Sequence, residues 1–182
     1  MLAKTSAIIL AVLLLTACST VKRNNQDPNV KPSEGYSAPD FTISVFKGPV
    51  FHLSALRGKK VILHFNHIGI NDIRQQMDDL NEFWNKNQDR CELLAVFPYA
   101  RDGDLLSFTV KNRIAFPVAA DANNTIGRLY GITLSQSLIR NIRQDSLAGQ
   151  FPRTYLIDEQ GVITDIRRRI AKPVYLEDFV NN

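Results

Sequence analysis

Val61-Ile62-Leu63-His64-Phe65-Asn66-His67-Ile68-Gly69-Ile70-Asn71-Asp72-Ile73 holds a change of period. Val61–Phe65 is a short run with apolar residues on both faces. Strands of that kind lie in the centre of a sheet covered by helices. Beyond Asp72 the apolar residues return as Ile73, Met77, Leu80 and Trp84, a spacing of 4, 3 and 4 that predicts a helix to about Asn87. Asp72 stands where a helix cap belongs, and Asn71 precedes it. The reading is strand, loop, helix.

Working outward, Leu93–Phe97 predicts a second buried strand. Asp104–Asn112 predicts a helix with Leu105 and Phe108 inward. Phe116–Ala119 is a short extended segment, and Asn124–Tyr130 a short helix ended by Gly131. Arg153–Ile157 and Val162–Arg168 flank Asp158-Glu159-Gln160-Gly161, where Gly161 is free to take positive φ in a hairpin turn. Pro173–Phe179 predicts a closing helix packed by Val174, Tyr175, Leu176 and Phe179. Before the central stretch, residues 41–46 and Val50–Leu53 form a hairpin around Lys47-Gly48-Pro49. Ser54 is placed to cap a short turn that Gly58 ends. Central strands with helical cover on both faces give a three-layer α/β/α domain.

The precursor carries 22 Lys+Arg against 18 Asp+Glu. That mild excess predicts no nucleic-acid partner. The densest basic run, Arg167-Arg168-Arg169 with Lys172, divides between two faces if it lies on a strand. The amino end reads as one charge, Lys4, then an apolar run Ala7–Leu15 too short to span a bilayer comfortably. It closes on Leu15-Thr16-Ala17-Cys18, which resembles the lipobox of bacterial lipoproteins. The resemblance implies a signal peptide over 1–17, a lipidated Cys18 and a membrane-anchored, extracytoplasmic domain. In a Gram-negative host Ser19 resembles the outer-membrane sorting class, facing the periplasm. Residues 18–37 are polar and hold Pro28, Pro32 and Gly35, as in a flexible tether. The domain is expected over 38–182. With Cys18 lipidated, Cys91 is the only free thiol and no intrachain disulfide forms. Its place at the edge of an apolar strand predicts a buried, inert side chain.

The arrangement over about residues 38–170 resembles the thioredoxin-like fold, in the branch of peroxiredoxins and membrane-tethered thiol–disulfide proteins. The likeness rests on Ala38-Pro39-Asp40-Phe41, Leu53–Leu63, Phe116-Pro117-Val118, Tyr130-Gly131-Ile132 and Phe151–Asp158, in that order. It implies a three-layer sandwich on a central mixed sheet. It also implies two cysteines after Phe65, at positions that here read Ile70 and Ile73. The single peroxidatic cysteine of peroxiredoxins is missing from the same loop. A thiolate attacks a disulfide or peroxide because it is soft and ionised; isoleucine offers no lone pair. Pro152 falls where the family has a cis-proline facing the active-site loop, beside a groove that pairs with extended peptide. The stretch 133–150 is longer than the family's connection, with Leu134, Leu138 and Ile142 recurring every four residues and Arg140, Arg143 and Gln144 away from them.

His64 and His67 point to opposite faces if both lie on a strand, which argues against a shared metal. His64 is expected in the core. His67, Asn71, Asp72, Arg74, Pro152 and Arg153 form the candidate cleft. The expected function is a lipid-anchored domain without thiol redox chemistry and without a cofactor or metal, binding or scaffolding an envelope protein or peptide. One alternative is a thiol peroxidase or thiol–disulfide oxidoreductase that uses Cys91 as its only catalytic residue. The other is a small anion- or metal-binding module.

Overall fold

The computed structural model describes residues 31–134, 147, 149–168 and 172–182. The expectations for the signal peptide, Cys18, Arg140, Leu138, Ile142, Arg143, Gln144 and Arg169 lie outside them. A five-stranded mixed sheet is built from β3 (Lys60–Phe65), β4 (Cys91–Pro98), β5 (Val118–Asp121), β6 (Arg153–Ile157) and β7 (Ile163–Arg167) in the order β5-β4-β3-β6-β7. β4 runs parallel to β3 and β5, and β6 is antiparallel to both β3 and β7. β1 (Thr42–Ser44) and β2 (Val50–His52) make a separate hairpin. The helices are α1 (Ile73–Asn87), α2 (Asp102–Lys111), α3 (Thr125–Leu129) and α4 (Pro173–Asn181). This is the α/β thioredoxin-like fold.

The period of two along β3 divides the core. Val61, Leu63 and Phe65 face one cluster with Phe41, Tyr130, Ile132, Tyr155 and Ile157. Ile62 faces the other, with Met77, Leu80 and Phe83 of α1, Leu105 and Phe108 of α2, and Leu176 of α4. On the first side the rings of Phe41, Phe65 and Tyr155 surround Tyr130, with centroids 5.9, 5.2 and 4.9 Å away. Such pairs contribute about 0.5–1.5 kcal/mol each beyond their buried area. The two hydroxyls are satisfied, Tyr130 donating to Pro39 O at 2.8 Å and Tyr155 to Tyr130 O at 2.6 Å. The cover on this side is α3, the β1–β2 hairpin and loop residues rather than long helices.

Some local expectations are corrected. The short 3₁₀ turn Leu53–Leu56 starts from His52 without a side-chain cap. Ser54 instead donates its backbone N–H to Asp40 Oδ1 at 2.9 Å, so the acceptor comes from the entry strand. On α1 the buried row is Met77, Leu80 and Phe83, while Ile73 and Trp84 sit on its flanks. On α4 the inward residues are Leu176 and Val180; Val174 and Tyr175 are 52% and 47% exposed. Residues 34–37 lie along β7: Gly35 N donates to Ile163 O at 2.8 Å, Ile163 N to Tyr36 O at 2.9 Å, and Ile166 N to Glu34 Oε1 at 3.2 Å. The polar stretch before residue 38 therefore covers an otherwise open sheet edge.

Candidate functional site

The site is the carboxyl end of β3, where the chain leaves the sheet at Asn66 and re-enters regular structure at Ile73. β6 starts beside it, because Phe65 pairs with Arg153. The bond between Phe151 and Pro152 is cis, as the resemblance implied, and both residues are buried.

Beneath the loop runs a buried polar chain. Asn66 Oδ1 accepts the His67 N–H at 2.8 Å, which identifies Nδ2 as the donor of that amide. Nδ2 donates to Gln76 Oε1 at 2.7 Å and lies 3.1 Å from His64 Nε2. His64 Nε2 is thus an acceptor, and Nδ1–H donates to Thr154 Oγ1 at 2.9 Å. Both ring nitrogens are engaged and the imidazole is neutral. Burial pushes its pKa from 6.5 down to about 4. His64 is therefore core-facing and hydrogen-bonded, as expected. Asn66, Gln76 and Thr154 completed the chain without being singled out in sequence. The available signal was a polar residue on an inward row: Gln76 beside Met77, and Thr154 in the alternation with Tyr155.

His67 is buried, and burial lowers its pKa. Its Nδ1 accepts the Gly69 N–H at 3.1 Å, and its ring lies 5.9 Å from that of Phe151. The structure thus brings His67 to the Phe151–Pro152 corner. Arg153 turns away from it, with Nη1 donating to Gly131 O at 3.2 Å and Nη2 to Gln150 Oε1 at 3.4 Å. Asn71, Asp72 and Arg74 are exposed at the start of α1. Among the described residues no hydrogen bond or ion pair joins them to His67 or Arg153. Of the candidate cleft, His67 thus stands at the Phe151–Pro152 corner, Arg153 holds the Gly131 and Gln150 oxygens, and Asn71, Asp72 and Arg74 stand exposed at the start of α1. Asp72 is the residue before α1 but does not cap it through its side chain: at φ 60° its carboxylate finds no amide, because capping geometry needs an extended backbone. Its carbonyl still accepts the Gln76 N–H at 3.2 Å.

The positions where the family resemblance implied thiols are hydrocarbon. Ile70 packs on the Phe65 side of the sheet and Ile73 on the α1 side. Cys91 is at the opposite end, paired with Lys60 at the start of β3. At roughly 3.3 Å per residue it is about 16 Å along the strands from Phe65. It is 3% exposed, and its thiol donates to Asn87 O at 3.6 Å. Burial, then the Glu92 carboxylate, push its pKa up to about 11, against the weaker opposing effect of Arg90 and Lys60. Among the described residues no three His, Cys, Asp or Glu side chains are grouped to hold a metal.

Of the basic run, the described Arg167 and Arg168 have different neighbours. Arg167 is ion-paired with Asp165 and lies over the Tyr175 ring at 5.3 Å. Arg168 acts on Tyr155, in the cluster on the opposite face of the sheet.

Residues 35–166 match the model of the AhpC/TSA family. The chain is 28% identical over 136 residues to the thioredoxin-like protein YneN of Bacillus subtilis, covering 73% of this chain and 70% of that one. It is 26% identical over 160 residues to the thiol-disulfide oxidoreductase ResA of Geobacillus thermodenitrificans, covering 87% and 83%. A crystal structure described as a thiol:disulfide interchange protein DsbE, from Chlorobium tepidum, superposes with a TM-score of 0.66 at 26% identity, over 83% of this chain and 97% of that one.

Proposed function

The chain belongs to the AhpC/TSA family, and from that premise we propose that it is a lipid-anchored, extracytoplasmic member without thiol redox chemistry that binds an envelope protein or peptide. The observation that carries the reading is the pair Ile70 and Ile73 at the loop where the family resemblance places its two thiols. Hydrocarbon neither accepts nor donates electrons in thiol–disulfide exchange. Cys91 does not replace it, because its burial and raised pKa leave almost no thiolate near neutral pH. The interchange protein among the relatives is named for action on disulfides. A surface for extended polypeptide at the Phe151–Pro152 corner is the part of that activity which needs no thiol. The anchor rests on Leu15-Thr16-Ala17-Cys18. Among the described residues no helix is long and apolar enough to cross a membrane.

Cross-linking in intact cells, followed by recovery of the full chain, tests the binding reading. A specific envelope partner retained by wild type is the expected result. Repeated absence of one, under conditions that recover known envelope complexes, sinks it. Labelled palmitate should enter the wild-type chain and not Cys18→Ser. Peroxide turnover or disulfide exchange that vanished in Cys91→Ser would replace this reading by the Cys91 enzyme.

A further inference from the structure

Arg153 is the side chain at this corner whose burial is least explained by its partners. It is 8% exposed, on the first position of β6. Nη1 holds the Gly131 carbonyl, Nη2 reaches Gln150 at a long 3.4 Å, the guanidinium also stands against the Tyr155 hydroxyl, and the buried Nε has no hydrogen-bond partner. Nε and Nη2 form one edge of the guanidinium, and that edge is the one matched by the two oxygens of a carboxylate. Among the described residues no carboxylate is ion-paired with it.

The surroundings add positive charge instead. A methyl group on Gly131 would lie 3.8 Å from Lys31 Cγ and 3.9 Å from Arg153 Nη1, so two cationic side chains flank that glycine. Arg168, beyond the end of β7, acts with Arg153 on the Tyr155 hydroxyl. Gly131 and Gln150, which hold the guanidinium, are themselves half-exposed, so the Gln150 amide is the group that stands between Nη2 and the surface. A buried cation with one donor unmet, its neighbour on a long bond and further cations around it is an incomplete site. The missing element is an oxyanion.

We propose that Arg153 is a binding residue for a carboxylate carried on a polypeptide partner, seated against the Nε–Nη2 edge between Gly131 and Gln150. The partner is thereby an acidic segment, or a chain end, lying along the Phe151–Pro152 corner. Binding displaces the Gln150 amide from Nη2 and places two parallel N–H···O bonds on the carboxylate. Lys31 and Arg168 strengthen attraction at long range, so affinity falls with salt. The inference rests on the binding reading above and names the chemistry of its partner.

The test follows the Arg153 Nε–Hε resonance of the full chain in detergent micelles. It is titrated with an extended peptide bearing one central glutamate, with the glutamine version, and with inorganic phosphate. Saturable movement of Hε by the glutamate peptide is expected, with the glutamine version weaker by about tenfold or more and binding lost in Arg153→Met. Arg153→Lys, which keeps the charge without the fork, should bind weakly and serves if Arg153→Met does not fold. An Hε resonance unmoved by the glutamate peptide overturns the inference, whether or not phosphate moves it. If the cross-linked partner is recovered equally by wild type and Arg153→Lys, this inference fails and the binding reading stands. If wild type recovers no partner, the binding reading fails.

Discussion

The two ends of the β3–β4 pair are mismatched in opposite senses. At the carboxyl end, where the chain passes from Phe65 into a loop and a helix start, the family resemblance places thiols but the residues are Ile70 and Ile73. At the amino end a thiol exists, yet Cys91 is buried, bonded to the Asn87 carbonyl and driven up to about 11. Position, not the presence of sulfur, decides reactivity. A thiolate has to be stabilised by exposed, electropositive surroundings, and at Cys91 burial and the Glu92 carboxylate outweigh Arg90 and Lys60. The contrast also bears on what remains at the carboxyl end, where the loop is held by the Asn66–His64–Thr154 chain and Gln76 rather than by a disulfide.

Restoring sulfur where the loop would use it tests the contrast most severely. Ile70→Cys with Ile73→Cys should raise dithiol-dependent insulin reduction on the order of a thousandfold over wild type, since both thiols would sit at the loop–helix junction. A rate still at background would show that more than sulfur is missing. The polar chain beneath the loop gives the next largest effect. His64 titrates near 4 when folded and near 6.5 when unfolded, so only the unfolded chain takes up its proton between those values. Stability is therefore full above pH 6.5 and falls as pH drops toward 4, by roughly 3 kcal/mol from this one group. His67, also lowered, adds to the same slope. Urea midpoints at pH 7.5 and 4.5 measure it, and His64→Asn should remove most of the difference.

At the other end, Cys91 should be alkylated by iodoacetamide on the order of 100-fold more slowly in the folded chain than in urea, from its thiolate fraction alone. Equal rates would dissolve the contrast. The smallest expected change is Asp72→Ala. Without a cap bond to lose, it should cost about 0.5 kcal/mol or less, where a true cap would cost about 1.

Much of this was legible in the chain. β3 and β4 stood out because strands buried on both faces leave continuous apolar runs, and the β6–β7 turn because Gly161, at φ 77°, takes a backbone conformation other residues resist. The partners of the candidate-cleft residues were not legible in the same way. Pro152 ends the loop with a cis bond while Arg153 opens β6, and the guanidinium is held by Gly131 and Gln150 rather than by groups of the loop after β3. Asn71, Asp72 and Arg74, near His67 in number, are exposed at the start of α1. Val174 and Tyr175 are apolar by composition yet exposed, because the rotation of a short terminal helix is set by its partner surface.

Residue chemistry by itself determined that no sulfur stands at the loop after β3 and that one thiol remains outside the amino-terminal motif. Covalent identity needs no fold. Periodicity determined the order of strands and helices, because burial on one face or two writes itself into the spacing of apolar residues. Only the tertiary structure decided that Cys91 is buried with its thiol pushed up, that His64 is neutral and doubly bonded, and that Arg153 is buried with its Nε unmet. Those properties depend on desolvation and on partners both near in the chain, as Asn66, Asn87 and Gln150, and far from it, as Thr154 and Gly131. Local sequence carries no measure of how deeply a group will be enclosed.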